Sequence, residues 1–347
     1  MRYATLKDKL SLVLVCRTFQ CLAERFLYER FICHDIERTI ESLTNGDRGR
    51  YVRDIVLAPQ TQESTIQITP ENMRTLYRIC YNLESIFVYP MATSWAMPLS
   101  ALEPSCVLND LPPTVSHVGW DYPDTLVNPT ARRIQAPLQN IRTLTLLSDD
   151  NIFVDEPLCL PHVKTFHVAA GIPLPTSPWT FPSLKNIRLV YCYPSTSYLR
   201  PLSTGVQRFL QSHAQKLDTM WLENGNPTNT LYRSDLHIDI LMQCINMRLL
   251  LIGVGLCLFP PRMVQLSPLW PALQCVVLVL DGTHRLDIPI FMRNWNGFRA
   301  YDRSSGFHHF VVLHPHITHD TADLERIRNM CQYDDRFVFQ CESSFGV

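Results

Sequence analysis

The sequence predicts an α/β fold: an irregular solenoid of short strands stacked repeat upon repeat, preceded by a short helical segment. Two observations predict it. The first is a phrase that returns nine times: apolar, two variable residues, apolar, one variable residue, apolar. It reads LKNIRL at Leu184–Leu189 and IRTLTL at Ile141–Leu146, and recurs at Val52–Leu57, Leu83–Val88, Val115–Trp120, Val163–Val168, Leu217–Leu222, Met247–Ile252 and Leu273–Leu278. The last two apolar positions are two residues apart, which places them on one face of an extended strand. The second observation is spacing. Successive phrases start about 21 to 33 residues apart, a period at which single strands cannot bury their apolar face alone but a stack of them can.

Taken in order, residues 1–44 differ from all that follows. Leu10, Val13, Leu14, Arg17, Leu22, Phe26 and Leu27 carry helical spacing, and no proline interrupts residues 5–44. The polar stretch 45–50 (NGDRGR) suits a linker or turn. Residues 51–347 carry the repeats. Some returns between phrases read as helices: Thr69 onward with Met73, Leu76, Ile79 and Cys80; Gly205–Lys216; and Ser234–Asn246. Others are rich in proline, as at Pro98–Pro113, Pro173–Pro182 and Pro194–Pro201. Pro161, Pro182 and Pro271 stand one or two residues before a phrase, where a residue without an N–H is tolerated at a strand's first position. In the tail, Phe310–Leu313 and Arg336–Cys341 read as strands and Thr321–Cys331 as a helix, together a last repeat or a cap. The period overlaps that of leucine-rich repeats and runs past it, so the array is expected to be degenerate.

Composition narrows the function. With a net charge of −1 and no basic run, the chain has no electrostatic footprint for nucleic acid or an acidic membrane surface. Glycine is scarce (12) and proline frequent (25), which counts against phosphate-binding loops that need close backbone approach. The 12 cysteines are scattered without a CxxC pair, and several, such as Cys257 and Cys275, sit in apolar runs as small hydrophobes. Both Asn-Pro-Thr sites carry the proline that disqualifies glycosylation. No secretory signal opens the chain, and the longest apolar run, Leu249–Phe259, is too short to span a bilayer. A soluble protein of the cytoplasm and/or nucleus is expected, with no cofactor.

Chemical signatures are sparse. There is no GxSxG, GxxxxGK[ST] or GxGxxG, and Gly253-Val-Gly255 reads as a turn. Asp149-Asp150 and Asp334-Asp335 are adjacent pairs whose side chains point apart. Five histidines fall at His308, His309, His314, His316 and His319, with Asp320 beside them, and imidazoles of this density suit zinc. A solvated edge strand explains the same letters. The variable positions of the phrases are the stronger candidates. If the second and third apolar residues face the core, Ser85, Phe87, Tyr89, Thr143, Thr145, Thr165, His167, Asn186, Arg188, Thr219, Trp221 and Glu223 line the opposite face. Of these, Phe87, Tyr89, His167, Arg188, Trp221 and Glu223 form the candidate target-binding set, since aromatics and arginine anchor protein interfaces. Burial of Phe87 and Trp221 under a proline-rich loop would account for them equally well. The reading is of a binding protein without catalysis of its own.

The segment Asp8–Tyr28 (DKLSLVLVCRTFQCLAERFLY) resembles the second half of an F-box, in which an LSLVCR-x-F/W helix is followed by a helix reading LA…LLY. Joined to phrases such as FPSLKNIRL and LPHVKTFHV, it looks like the F-box/leucine-rich-repeat-like proteins abundant in mushroom-forming (basidiomycete) fungi. The family's LPxE-type first helix has no counterpart before Asp8, so the F-box reads as N-terminally truncated. The resemblance implies a substrate-recognition subunit of an SCF-type ubiquitin ligase. Leu12, Val13, Val15, Cys16, Phe19, Leu22 and Leu27 would grip the SCF adaptor subunit, and the repeat face would hold an unknown protein substrate. The same seven residues would also serve to dock the helices onto the first repeat, leaving a free-standing interaction scaffold.

Overall fold

The computed structural model describes residues 17–58, 68–89, 104–120, 138–147, 157–172, 174, 179–191, 202–223, 241–253, 270–279, 288–299, 307, 309–314, 325, 329 and 335–341. The chain is a mixed α/β protein built on parallel strands, and it divides into two compact units, residues 1–163 and 164–347.

In the first unit, helix α1 (Arg17–Tyr28) leads directly into strand β1 (Arg30–Cys33). Helix α2 (Ile36–Thr44) is capped by Asp35, whose carboxylate accepts the Glu37 and Arg38 N–H groups at 3.0 and 3.1 Å. A turn with left-handed Gly46 (φ 77°) and Asp47 (φ 53°) follows, then a 3-10 turn at Arg48–Tyr51. Strands β2 (Asp54–Leu57), β3 (Ser85–Val88), β4 (His117–Trp120) and β5 (Thr143–Leu146) continue the sheet, with α3 (Pro70–Ile79) and α4 (Pro104–Leu108) in the returns. All are parallel and lie in chain order. The expected helix after Thr69 is present, with Thr69 as cap, proline in the first turn, and Met73, Leu76 and Tyr77 buried.

The second unit holds β6 (Thr165–Ala169), β7 (Asn186–Val190), β8 (Thr219–Glu223), β9 (Leu249–Gly253), β10 (Cys275–Val279), β11 (His309–His314) and β12 (Phe337–Cys341), again parallel and in chain order. Helix α5 (Thr204–His213) fills the return after β7, as its spacing predicts, and Phe209 on its buried side meets Phe166 of β6 edge-on at 5.1 Å. Helix α6 (Ile288–Arg299) was not read from the sequence. It lays Phe291, Trp295 and Phe298 on Phe310 and Phe337 of the last two strands. The tail strands therefore extend the sheet as further repeats. Most of the predicted helices at Ser234–Asn246 and Thr321–Cys331 lie outside the described residues.

Every apolar position of the nine phrases is buried, at 3% exposure or less. Each such side chain contributes about 1.5–3 kcal/mol relative to leaving it in water, so the phrase is what holds the strands to their returns. Two backbone features recur with it. The N–H of the first apolar residue always bonds the carbonyl three residues earlier, at 3.0–3.4 Å, closing a turn before the strand. The carbonyl of the second residue accepts two successive N–H groups from the next repeat, at 2.7–3.1 Å, as for Arg53, Glu84 and Ser116 in one unit and Lys164, Lys185, Asp218 and Arg248 in the other.

Two expectations need correction. Pro161, Pro182 and Pro271 do not begin strands. They occupy the second position of the turns Leu160–Val163, Phe181–Leu184 and Trp270–Leu273, where a φ fixed near −65° suits the bend, and the strands start four residues after each proline. The residues just before them, Leu160, Phe181 and Trp270, are buried. The N-terminal segment is also not wholly helical. The Glu29 carbonyl accepts the Arg53 and Asp54 N–H groups in the repeat's own pattern, which makes Tyr28–Cys33 a further copy of the phrase.

Candidate functional site

Strand alternation sends the fifth residue of each phrase, and those two before and after it, to the face opposite the core. In the first unit this open face is apolar along its middle row. Ile32, Val56, Phe87 and Gly119 are in register on β1–β4. Ile32 is 54% exposed and Tyr89, two residues past Phe87, is 48% exposed. The Phe87 ring lies over Gly119: a Cβ built on that glycine would stand 2.0 Å from Phe87 Cδ1. Beside this row the Ser85 hydroxyl donates to the Asp54 carboxylate.

The open face of the second unit is polar where the first is apolar. His167, Arg188 and Trp221 are in register on β6, β7 and β8. The Arg188 guanidinium stands 3.9 Å from the Trp221 ring centroid, within cation–π range. Its Nε donates to Glu223, and both side chains are about a quarter to a third exposed, at 29% and 27%. Stacking and ion pairing together fix the guanidinium, while among the described residues no acceptor takes the two terminal nitrogens. Asn186 donates to Thr165 Oγ1 at 3.2 Å on the preceding row. The indole Nε1 of Trp221 is buried and has no hydrogen-bond partner among the described residues. Further along, Leu251 is half-buried but Val277 and Val311 are 6% and 7% exposed, so the open row closes toward the last strands.

The structure thus brings His167, Arg188, Trp221 and Glu223 together, and sets Phe87 and Tyr89 in the other unit. Ser85 and Thr145, also expected on the exposed face, are buried at 6% each. The Ser85 hydroxyl is engaged by Asp54 of the adjacent strand, and Thr145 stands in register beside Gly119. Of the residues matched to the F-box, Leu12, Val13, Val15 and Cys16 lie outside the described residues. Phe19, Leu22 and Leu27 fall within α1, and Leu27 is half-buried. On the same helix Ala23 is fully buried, and Arg48 of the following turn lies 5.3 Å over the Tyr28 ring. The C-terminal part of α1 is therefore seated on the first repeat.

Of the histidine run, His309 is exposed on β11 and His314 ends that strand; His308, His316, His319 and Asp320 lie outside the described residues. Among the described residues no group of three or more histidine, cysteine or carboxylate side chains could hold a metal ion, and no helix is long and apolar enough to cross a membrane. Burial pushes the Cys33 and Cys275 thiols up to about 11 and those of Cys80 and Cys244 up to about 12, which keeps them protonated and unreactive. Cys257 lies outside the described residues.

Sequence reasoning missed one recurring side chain. Asn82, Asn140 and Asn246 each directly precede the first apolar residue of a phrase. Their amides donate to the carbonyls of Arg50, Pro113 and Gln215, the equivalent turn positions of the preceding repeat, at 2.8, 3.1 and 2.8 Å. The signal was legible as Asn-Leu, Asn-Ile and Asn-Met at one offset. No known protein-family profile matches the chain, and no curated protein matches it.

Proposed function

We propose that this chain is a leucine-rich-repeat-like solenoid that binds a protein target on its open face and acts as a substrate-recognition subunit of an SCF-type ubiquitin ligase. The observation that carries the binding half is the Arg188–Trp221–Glu223 cluster on one sheet face. Its arginine is already immobilised, so forming further hydrogen bonds costs little ordering entropy. Strict chain order of parallel strands with one sealed face supports the solenoid, because a doubly wound sheet reverses its order and buries both faces. The ligase half is supported by the motif at Asp8–Tyr28. Binding positions the target, and transfer chemistry belongs to other subunits.

A free-standing scaffold is the second reading, and the fully buried Ala23 favours it, since α1 then serves to cap the repeats. Purified chain mixed with purified SCF adaptor subunit separates the two. The ligase reading predicts a complex that persists in Trp221→Ala and is lost in Phe19→Asp with the thermal midpoint retained. No complex with the wild-type chain leaves the free-standing scaffold.

A further inference from the structure

We propose that His213 is an acid-sensitive latch behind β7, the strand that presents Arg188; the inference rests on the reading of that face as the binding face. Helix α5 ends at His213, whose side chain is buried at 2% and stacked on Phe209 with ring centroids 4.2 Å apart. Nε2 accepts the backbone N–H of Phe181 at 3.0 Å. Nδ1 lies 2.9 Å from the Phe209 carbonyl and 2.8 Å from Ser212 Oγ. A proton on Nε2 would oppose the Phe181 N–H, so this arrangement requires the neutral ring with its hydrogen on Nδ1, given to the Phe209 carbonyl.

The partner is well placed to transmit a change. Phe181 packs edge-on against Phe166 and Phe209 at 5.3 and 5.2 Å. Its carbonyl accepts the Leu184 N–H, closing the turn that delivers the chain into β7. One imidazole therefore ties the helix leaving β7 to the turn entering it. The ring is set among aromatic side chains of α5 and of the turn, and Lys216 on the next 3-10 turn (Ala214–Lys216) is the charged group acting on it among the described residues.

Burial first, and then Lys216, hold the ring's pKa below its ordinary 6.5, against the opposing bond to Phe209. The latch's stabilisation is complete above the unfolded value of about 6.5 and is lost as pH falls below it, because the unfolded chain takes the proton more readily. Protonation turns an acceptor into a donor, the Phe181 N–H loses its partner, and the β7 entry turn is released.

Hydrogen exchange on the full chain, corrected for intrinsic rates, tests this in wild type and His213→Gln. Glutamine offers an acceptor and a donor but does not titrate. Between about pH 7.5 and 5.5 the wild type should lose up to about tenfold protection over residues 181–188, the ceiling that an ordinary imidazole of about 6.5 in the open state sets at pH 5.5, with β10 unchanged. His213→Gln should show no such loss. An equal loss in both proteins, or one spread evenly over both units, overturns the latch. If the variant does not fold, NMR titration of the His213 ring replaces it: a midpoint matching the Phe181 loss supports the latch, and one at or above 6.5 overturns it. Neither readout involves a bound target, so failure of the binding reading leaves both intact.

Discussion

The two units place an aromatic ring at the same repeat position, Phe87 in residues 1–163 and Trp221 in residues 164–347, and use it in opposite ways. Phe87 leans across its neighbouring strand and covers Gly119, supplying the packing that a residue without a side chain cannot. Trp221 has Arg188, not glycine, on the adjacent strand, and serves as the plate on which the guanidinium rests. The residue across the register decides the role. An aromatic beside a glycine repairs the sheet, whereas one beside an arginine supports its charge. The binding reading accordingly rests on the second unit more than on the first.

The largest expected effect lies at the glycine. Gly119→Val drives a Cβ into the Phe87 ring and should destabilise the chain by about 1–3 kcal/mol, the usual range for overpacking, as measured by urea denaturation. Phe87→Ala removes the obstacle. The double variant should then be more stable than the sum of the two single changes allows. A neutral Gly119→Val would mean that the ring yields freely, and the contrast between the two aromatics would fail.

This dependence on the neighbour explains what the sequence could and could not reveal. Strand positions were legible because the buried positions of each phrase are chemically uniform, from Val52 to Leu278. The copy at Tyr28–Cys33 escaped because tyrosine and cysteine hold its outer positions and a helix runs straight into it. Proline spacing was visible, but its offset fits a turn and a strand start alike until the Leu160–Val163 hydrogen bond is seen. Alternation showed which residues face away from the core, not what covers them, so Ser85 and Thr145 were misjudged. Register across repeats is the missing information: Phe87 with Gly119, Arg188 with Glu223 and His213 with Phe181 are each joined over about 32 to 35 residues. No window within one repeat contains both partners.

A middle-sized effect tests the Trp221 side of the contrast. In a double-mutant cycle on Arg188→Ala and Trp221→Ala, the coupling should be about 1 kcal/mol, between the values for exposed and desolvated cation–π pairs. Arg188→Lys should recover only part of it. Lysine keeps the charge, but it lacks the planar group that lies on an indole while donating sideways to Glu223. Zero coupling would leave Trp221 an ordinary half-buried ring like Phe87, and the proposed binding face would lose its fixed arginine.

The smallest effect concerns a feature the units share. Asn82 in one and Asn246 in the other make the same amide bond at 2.8 Å from the same repeat position, and both are exposed. Water can replace much of an exposed hydrogen bond, so Asn82→Ala and Asn246→Ala should each cost only about 0.5 kcal/mol, the lower end for a net hydrogen bond. Equality matters more than size here. If the repeats are built alike and differ only on their open faces, the two substitutions should lower the urea midpoint to the same extent. A clear inequality would place part of the difference between the units in the framework itself, and the contrast between Phe87 and Trp221 could then no longer be assigned to the face alone.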